Sequence, residues 1–346
     1  MTIRDWLIKD KTCSTGKKGV LFLSVRLSRN LRGIPFPVKA SGKDRAAVLK
    51  AVQKAAETVR DLSGNPLEGI PLPSLTENER QLLEEKGYMS RQLSPEYSVL
   101  YVSRDGRLTL LVNGENHIEI RGTGEDTGSV WKEAALLDSE LSRELDYAFD
   151  TDFGYLTADP GSAGTGAHVE AKLFLPGLTA ENALGEAVQK AAQSGFLLSG
   201  SYDERLGKFP YVTLTNRVTL GISEGMLSDR MYQLLDDMNR AEERAWSGYM
   251  KRNEMEIKDR IWRALGMLKY ARLMSREETL DAAGLIACGV REDMLPDKDG
   301  SLSGRLREAA SGAYVREVTH KDELDNKNEN IWRAVVLRNM VEEAGL

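Results

Sequence analysis

The chain has 346 residues, 41% hydrophobic and 29% charged, with a formal net charge of −6. That length allows one large domain with a buried core plus a smaller one, and the negative balance weighs against non-specific nucleic-acid binding. Only Cys13 and Cys288 occur, which excludes a disulfide framework and a CxxC metal knuckle, and no run reaches the ~18–20 apolar residues of a membrane span.

At the N-terminus, Met1-Thr2-Ile3-Arg4-Asp5-Trp6-Leu7 is too charged for a signal peptide, so a reducing cytosol is the expected compartment. From Asp44 to Leu62, residues Ala47, Val48, Ala51, Val52, Ala55, Val59 and Leu62 fall at helical spacing and predict an amphipathic helix, broken by Pro66 through Pro73. Thr76 with Glu79 three residues on has the form of a capping box and opens a short helix ending near Gly87. Val99–Val102, the Asp105-Gly106 turn and Leu108–Val112 read as a β-hairpin, with a further strand over 117–121. A long helix is expected around Trp131–Phe149, its apolar face made by Leu136, Leu137, Leu141, Leu145 and Phe149.

The chain then turns glycine-rich, with Gly154, Gly161, Gly164 and Gly166 around Pro160. Strands are predicted over 168–175 and 211–220, with a helix opening near Thr179 between them. Beyond Ser228 the pattern is almost continuously helical. Met231, Leu234, Leu235, Met238 and Ala241 form one stripe, and Ile261, Leu265, Leu268 and Leu273 another. A domain boundary is placed near 248–256. The reading is an α+β fold over 1–250, an antiparallel sheet flanked by helices, followed by an all-helical domain over 251–346.

Several stretches resemble signatures of the ATP:guanido phosphotransferases, the phosphagen kinases. Leu23-Ser24-Val25-Arg26-Leu27-Ser28-Arg29-Asn30 is similar to their Ser-Arg-x-Arg-x-x-Arg-Asn nucleotide strand, and Asn113 to Glu119 to their Asn-Glu-Glu-Asp-His-x-Arg motif. Gly154 through Gly166 resembles their Cys-Pro-Thr-Asn-x-Gly-Thr-Gly loop, Ser199 to Glu204 their Arg-Gly-x-Tyr-Gly-Glu motif, and Thr215 to Gly221 also matches. Asp259 to Arg263, Gly266 to Leu268, Tyr270 to Arg272 and Ser275 to Glu278 resemble the tail of the bacterial protein-arginine kinases, which small-molecule phosphagen kinases lack. The resemblance runs from Val20 to the C-terminus.

It implies a guanido-kinase catalytic fold, Mg-ATP as cofactor, and Glu115 and Glu204 as the pair that grips a substrate guanidinium. One carboxylate would orient the cation and take its proton, the second completing a bidentate fork. Several arginines would cradle the triphosphate, because phosphoryl transfer is mostly positioning and charge stabilisation. Here Arg26 and Arg29 keep such positions. Ser24, Glu119, His168 and Ser199 stand where the motifs carry arginine, Gly87 where they carry a histidine, and Asp159 replaces the loop cysteine. The phosphate half of the site therefore reads as dismantled and the guanidinium half as kept. Near the C-terminus, Glu329-Asn330-Ile331-Trp332-Arg333-Ala334 is similar to an Arg-Asp-x-x-Arg-Ala phosphoarginine pocket, with Arg333 matching, Glu329 in place of arginine and Asn330 in place of aspartate. An amphipathic terminal helix carrying Ile331, Trp332, Val335 and Val336 into the core accounts for the same segment.

Three readings follow. One is a degenerate kinase-family module that binds an arginine side chain on a protein partner. The second is an active protein-arginine kinase with a rewired phosphate site using Lys172, Arg205 or Lys208; the resemblance then implies a zinc-binding activator protein and Clp-type proteolysis as its setting. The third is a subunit that pairs with an active paralogue through its helical domain. A homo-oligomer is expected, with no nucleic acid, membrane or metal site. His117 and His168 read as hydrogen-bonded structural histidines.

Overall fold

The computed structural model describes residues 3–8, 19–89, 95–202, 206–298, 300–321 and 323–346. In chain order the elements are α1 (Ile3–Ile8), β1 (Val20–Arg29), α2 (Gly42–Ala56), β2 (Glu68–Pro71), α3 (Glu77–Glu85), β3 (Val99–Val102), β4 (Leu108–Val112), β5 (Ile118–Gly124) and α4 (Thr127–Ser142). There follow β6 (Phe149–Asp150), β7 (Gly154–Tyr155), β8 (Ala167–Phe174), α5 (Pro176–Ala180), α6 (Leu184–Gln193), β9 (Phe196–Gly200) and β10 (Tyr211–Asn216). The remainder is helical: α7 (Glu224–Tyr270), α8 (Arg276–Arg291), α9 (Leu302–Glu308), α10 (Gly312–Thr319) and α11 (Asn326–Glu343).

Eight strands form one sheet in the order β2-β3-β4-β5-β1-β8-β10-β9, and every neighbouring pair is antiparallel. This is the expected α+β arrangement. Because side chains alternate along a strand, each face has its own partners. Leu23, Val25 and Leu27 of β1, Ile118 and Ile120 of β5, and Val169 and Ala171 of β8 pack with α2, α4, α6 and the first half of α7. On the other face, Phe22, Leu111, Phe174 and Tyr211 join a second core built largely from α3, α8–α11 and Ile257, Ile261, Ala264, Leu265 and Leu268 of α7. Residues between these apolar positions on that second face are polar, and they include the positions singled out by the motifs.

The hairpin β3–β4 forms around Gly106, whose φ is +79°. Thr76 and Glu79 make the reciprocal capping box ahead of α3, as Ser275 and Glu278 do ahead of α8.

Other boundaries differ. The helix expected to reach Leu62 ends at Ala56: the Asp61 carboxylate accepts from the Ser63 and Asn65 backbone N–H groups and closes a turn at Gly64, leaving Leu62 exposed. The helix expected to run to Phe149 stops at Ser142; Leu145 is buried beyond its end, while Leu136 and Phe149 are exposed. The single helix expected after Thr179 is two, α5 and α6, separated at Asn182 with φ +54°. The strand expected to reach Leu220 ends at Asn216, and β9 was not anticipated.

The expected boundary at 248–256 falls inside α7, where Asn253 (φ −130°, ψ 27°) kinks the helix. Leu273, placed on an apolar stripe, lies past the helix end and is exposed. In α11 the inward face is made by Arg333, Ala334, Val336, Leu337, Met340 and Val341, so Ile331, Trp332 and Val335 are only half-buried. Cys288 is buried and its thiol is pushed up to about 12 by that burial, while Cys13 lies outside the described residues. No described helix is long and apolar enough to cross a membrane.

Candidate functional site

Strand pairing gathers the motif positions. On β5, β1 and β8, Arg121, Arg26 and His168 stand opposite one another in one cross-strand row. The next row holds Thr123, Ser24 and Glu170, and Ser28 faces Glu119 on the other side. Lys172 follows on β8, paired with Thr213, which in turn faces Ser199 on β9. Ser24, Arg26, Glu119, His168 and Ser199, far apart in sequence, thus share one sheet face.

Two arginines directly opposite each other repel unless each finds a partner. Arg121 turns away from Arg26 into a slot between strands and α3. Its Nη1 donates to the Lys86 carbonyl (3.1 Å) and its Nη2 lies 3.4 Å from the Ser24 Oγ. The guanidinium sits 4.7 Å from the Tyr88 ring centroid and 5.6 Å from that of Phe22, and the side chain is buried. A Cβ on Gly87 would lie 3.2 Å from its Nη1. Arg121 therefore fills the space shared by Ser24 and Gly87, the two positions where the motifs carry an arginine and a histidine.

Arg26 meets Glu119 instead, Nη1 to Oε2 at 3.9 Å, and its buried Nε has no hydrogen-bond partner among the described residues. The other Glu119 oxygen accepts from the Asn116 backbone N–H (3.1 Å). That carboxylate tucks under the β4–β5 turn because residue 114 is glycine: a Cβ there would stand 2.6 Å from Oε1. His168 is held neutral near neutral pH, its pKa lowered to about 4 by burial and by Arg26, with Arg121 adding to the effect. It brings no positive charge to the position where the motif has arginine.

Glu115 projects from the same turn and is exposed. The turn is fixed from several sides. Asn113 (φ +55°) donates to the carbonyls of Arg45 and Tyr97 at 3.0 and 2.8 Å. Asn116 Oδ1 accepts from Asn30 Nδ2 and from the Ala158 N–H, both at 2.8 Å. Asn30 Oδ1 accepts from the His117 N–H (2.9 Å). The His117 Nδ1 accepts from the Leu31 N–H (3.0 Å), so its Nε2 carries the proton toward the Pro35 carbonyl (3.0 Å), and burial lowers its pKa.

Arg29, expected at the phosphates, is fully buried on the opposite face. Nε and Nη2 contact Asp138 of α4, the closest approach being 2.7 Å, and Nη2 also reaches Glu224 at 3.2 Å. Nη1 donates to the Ser28 and Thr165 carbonyls, and the guanidinium stacks 3.6 Å from the Tyr155 ring centroid. All five N–H donors of the fork are used within the protein, so Arg29 is an internal tie between sheet, α4, α7 and the glycine-rich loop. The loop is pinned at Gly164 (φ +107°), where a Cβ would collide with the Thr219 carbonyl at 2.3 Å.

Glu204 and Arg205 lie outside the described residues. The segment leading to them, Ser201 and Tyr202, lines a cavity of about 590 Å³ between the sheet and the helical C-terminal segment, together with Lys172, Arg276, Asn330 and Arg333. The Lys172 ammonium lies 5.7 Å from the Phe22 ring centroid, and its charge is felt by the Glu308 carboxylate. Lys208 sits 5.1 Å from the ring centroid of Phe209. Asn330 and Arg333 bond to each other on α11, and Arg333 is buried.

Sequence reasoning missed Arg121, Gly114 and Asn116. Arg121 carries no local signal, since its role depends on cross-strand register. Gly114 and Asn116 were readable as departures from Asn-Glu-Glu-Asp-His-x-Arg: two acids are lost and one is gained at Glu119, so the segment keeps the motif's net charge with the acid moved.

Two family descriptions match the chain: the ATP:guanido phosphotransferase, C-terminal catalytic domain over residues 47–245, and the protein-arginine kinase McsB C-terminal domain over 254–345. A protein-arginine kinase of Clostridium novyi is 30% identical over 329 residues, covering 92% of this chain and 94% of that protein. One from Desulforamulus reducens is 30% identical over 334 residues, covering 94% and 93%. In fold, the chain is similar to the substrate-free duplicated taurocyamine kinase from Schistosoma mansoni (TM-score 0.56, 19% identity, 67% of this chain), of which it spans about a third, 34%. It is also similar to lombricine kinase (TM-score 0.54, 18% identity, 68% of this chain and 71% of that one). A motif-bearing sheet face, a match across most of the chain and a matching helical tail agree: the chain belongs to the ATP:guanido phosphotransferase family, in its protein-arginine kinase branch.

Proposed function

We propose that this protein is a catalytically degenerate member of the branch that binds an arginine side chain of a protein partner and works as a regulatory module. The observation that carries this reading is the fate of the arginines on and near the motif face. Arg26 is matched by Glu119, Arg29 by Asp138 and Glu224, and Arg121 is buried against Tyr88 and Phe22. A triphosphate of about −4 charge needs several converging cations with open donors. The residues present do not fit it. Glu115, exposed on a turn fixed by Asn30, Asn113 and Asn116, remains open to a cation.

One observation favours an active protein-arginine kinase instead: Lys172 stands on the same face and lines the cavity beside it. The relatives' names specify kinase activity on protein arginine, which makes that reading testable in one assay. The protein is incubated with Mg-ATP and an arginine-rich protein, and acid-labile phosphate is measured against a Glu115→Gln control. The degenerate reading expects no difference from the control, together with arginine-peptide binding that Glu115→Gln weakens. Transfer above the control, lost on Lys172→Met, establishes the active kinase.

A further inference from the structure

We propose that a line of lysines on α2 is a docking strip for acidic residues of the protein partner, those that flank the arginine entering at Glu115; this role rests on the arginine-binding function just proposed. Successive residues of a helix are about 100° apart, so Lys43, Lys50 and Lys54 fall within ~40° of one another and make one straight line. All three are exposed, as are Ala46 and Ala47 beside them, and exposed Lys39 precedes the helix.

The line lacks the acids that commonly accompany lysines on an exposed helix face. Among the described residues, Lys39, Lys50 and Lys54 form no ion pair. The charge of Lys43 is felt by Asp44, the one acid of α2, but that carboxylate is turned back into the capping box, accepting from the Ser41 N–H (2.9 Å) and Oγ (2.7 Å). Lys50 and Lys54 stand four residues apart, a spacing at which like charges weaken a helix. The line therefore gives α2 nothing by itself, whereas carboxylates on a partner would relieve it. Its near end adjoins the arginine slot: Asn113, in the turn that carries Glu115, donates from Nδ2 to the Arg45 carbonyl near the start of α2 (3.0 Å). From Lys43 to Lys54 the helix rises ~16 Å, the reach of about five residues of extended chain. The partner segment thus carries an arginine with Asp or Glu within about five positions of it. The overall charge of −6 weighs against nucleic acid as the occupant.

Fluorescence anisotropy on the full chain at low ionic strength tests this with labelled arginine peptides whose flanks are acidic, glutamine or lysine. The acidic-flanked peptide binds about tenfold tighter than the glutamine-flanked one, and the lysine-flanked peptide binds weakest. Lys43→Gln, Lys50→Gln and Lys54→Gln together cut that preference below about twofold and leave the glutamine-flanked affinity unchanged. A charge-matched control, Lys132→Gln with Lys251→Gln and Lys298→Gln, keeps the preference. A preference that survives loss of the lysine line, or falls equally in the control, overturns the proposal. So does a single-stranded oligonucleotide that binds these lysines more tightly than the acidic peptide. An acidic peptide with glutamine in place of its arginine, bound equally well and lost on the triple substitution, upholds the strip and removes the arginine slot. No binding of any peptide overturns both.

Discussion

Arg121 reaches across the sheet face to Ser24, Nη2 to Oγ at 3.4 Å, and so links the departure from the family pattern at Ser24 with the one at Gly87. Ser24 and Gly87 are small, and the space they leave is taken by a cation from the neighbouring strand that is itself sealed against Tyr88 and Phe22. The positive charge near this part of the sheet is not lost. It is carried by Arg121, buried against Tyr88 and Phe22.

Arg121→Ala should therefore empty a slot and not merely remove a surface charge. The buried stem, two hydrogen-bonding contacts and ring stacking disappear together, and a destabilisation of about 2–4 kcal/mol is expected by urea denaturation. The same change removes one of the charges that depress His168, so its pKa should rise from about 4, measurable by NMR titration.

Restoring arginine at the first motif position should fail in isolation. Ser24→Arg forces a second guanidinium into the space Arg121 fills, and overpacking of this kind costs about 1–3 kcal/mol. Combined with Arg121→Gln the cost should shrink, a non-additivity that a double-mutant cycle in denaturant will read. Additive effects would place the two side chains in separate spaces.

His168 also predicts a pH dependence. With its folded pKa near 4 and an ordinary value near 6.5, the unfolded chain binds its proton first as pH falls. Stability from this group is complete above pH about 6.5 and is lost progressively toward pH about 4. Because the residue is only partly shielded from solvent, a contribution of about 1–2 kcal/mol is expected. His168→Asn should flatten that part of the stability–pH profile relative to wild type.

Arg29 is predicted to matter for folding. Arg29→Met strands Asp138 and Glu224 beside a buried methyl group and frees the Thr165 carbonyl, a loss of about 3–5 kcal/mol. Arginine-peptide binding at Glu115, measured on whatever fraction stays folded, should change little.

Much of the fold was readable because its signals are local. The Asp105-Gly106 turn, the Thr76/Glu79 capping box and the alternation in β8 each specify an element without reference to the rest of the chain. The missed features are non-local. The strand β9 is short, with Leu197 exposed, and shows little periodicity; the break at Asn182 needs a left-handed residue that asparagine supplies only in context. At the site, the motifs gave the positions but not the contacts: Arg26 and Arg29 look equivalent in sequence, yet alternation along β1 sends them to opposite faces, one toward Glu119 and the other into the core.

The most direct measurement is calorimetric titration of Mg-ATP into the wild-type protein at low ionic strength, where electrostatic binding is strongest. With Arg29 and Arg121 buried and Arg26 facing Glu119, the account predicts no heat beyond dilution with nucleotide in the micromolar range. A saturating isotherm with a micromolar dissociation constant, weakened by Arg26→Met or Lys172→Met, would contradict the account and make this protein a working kinase.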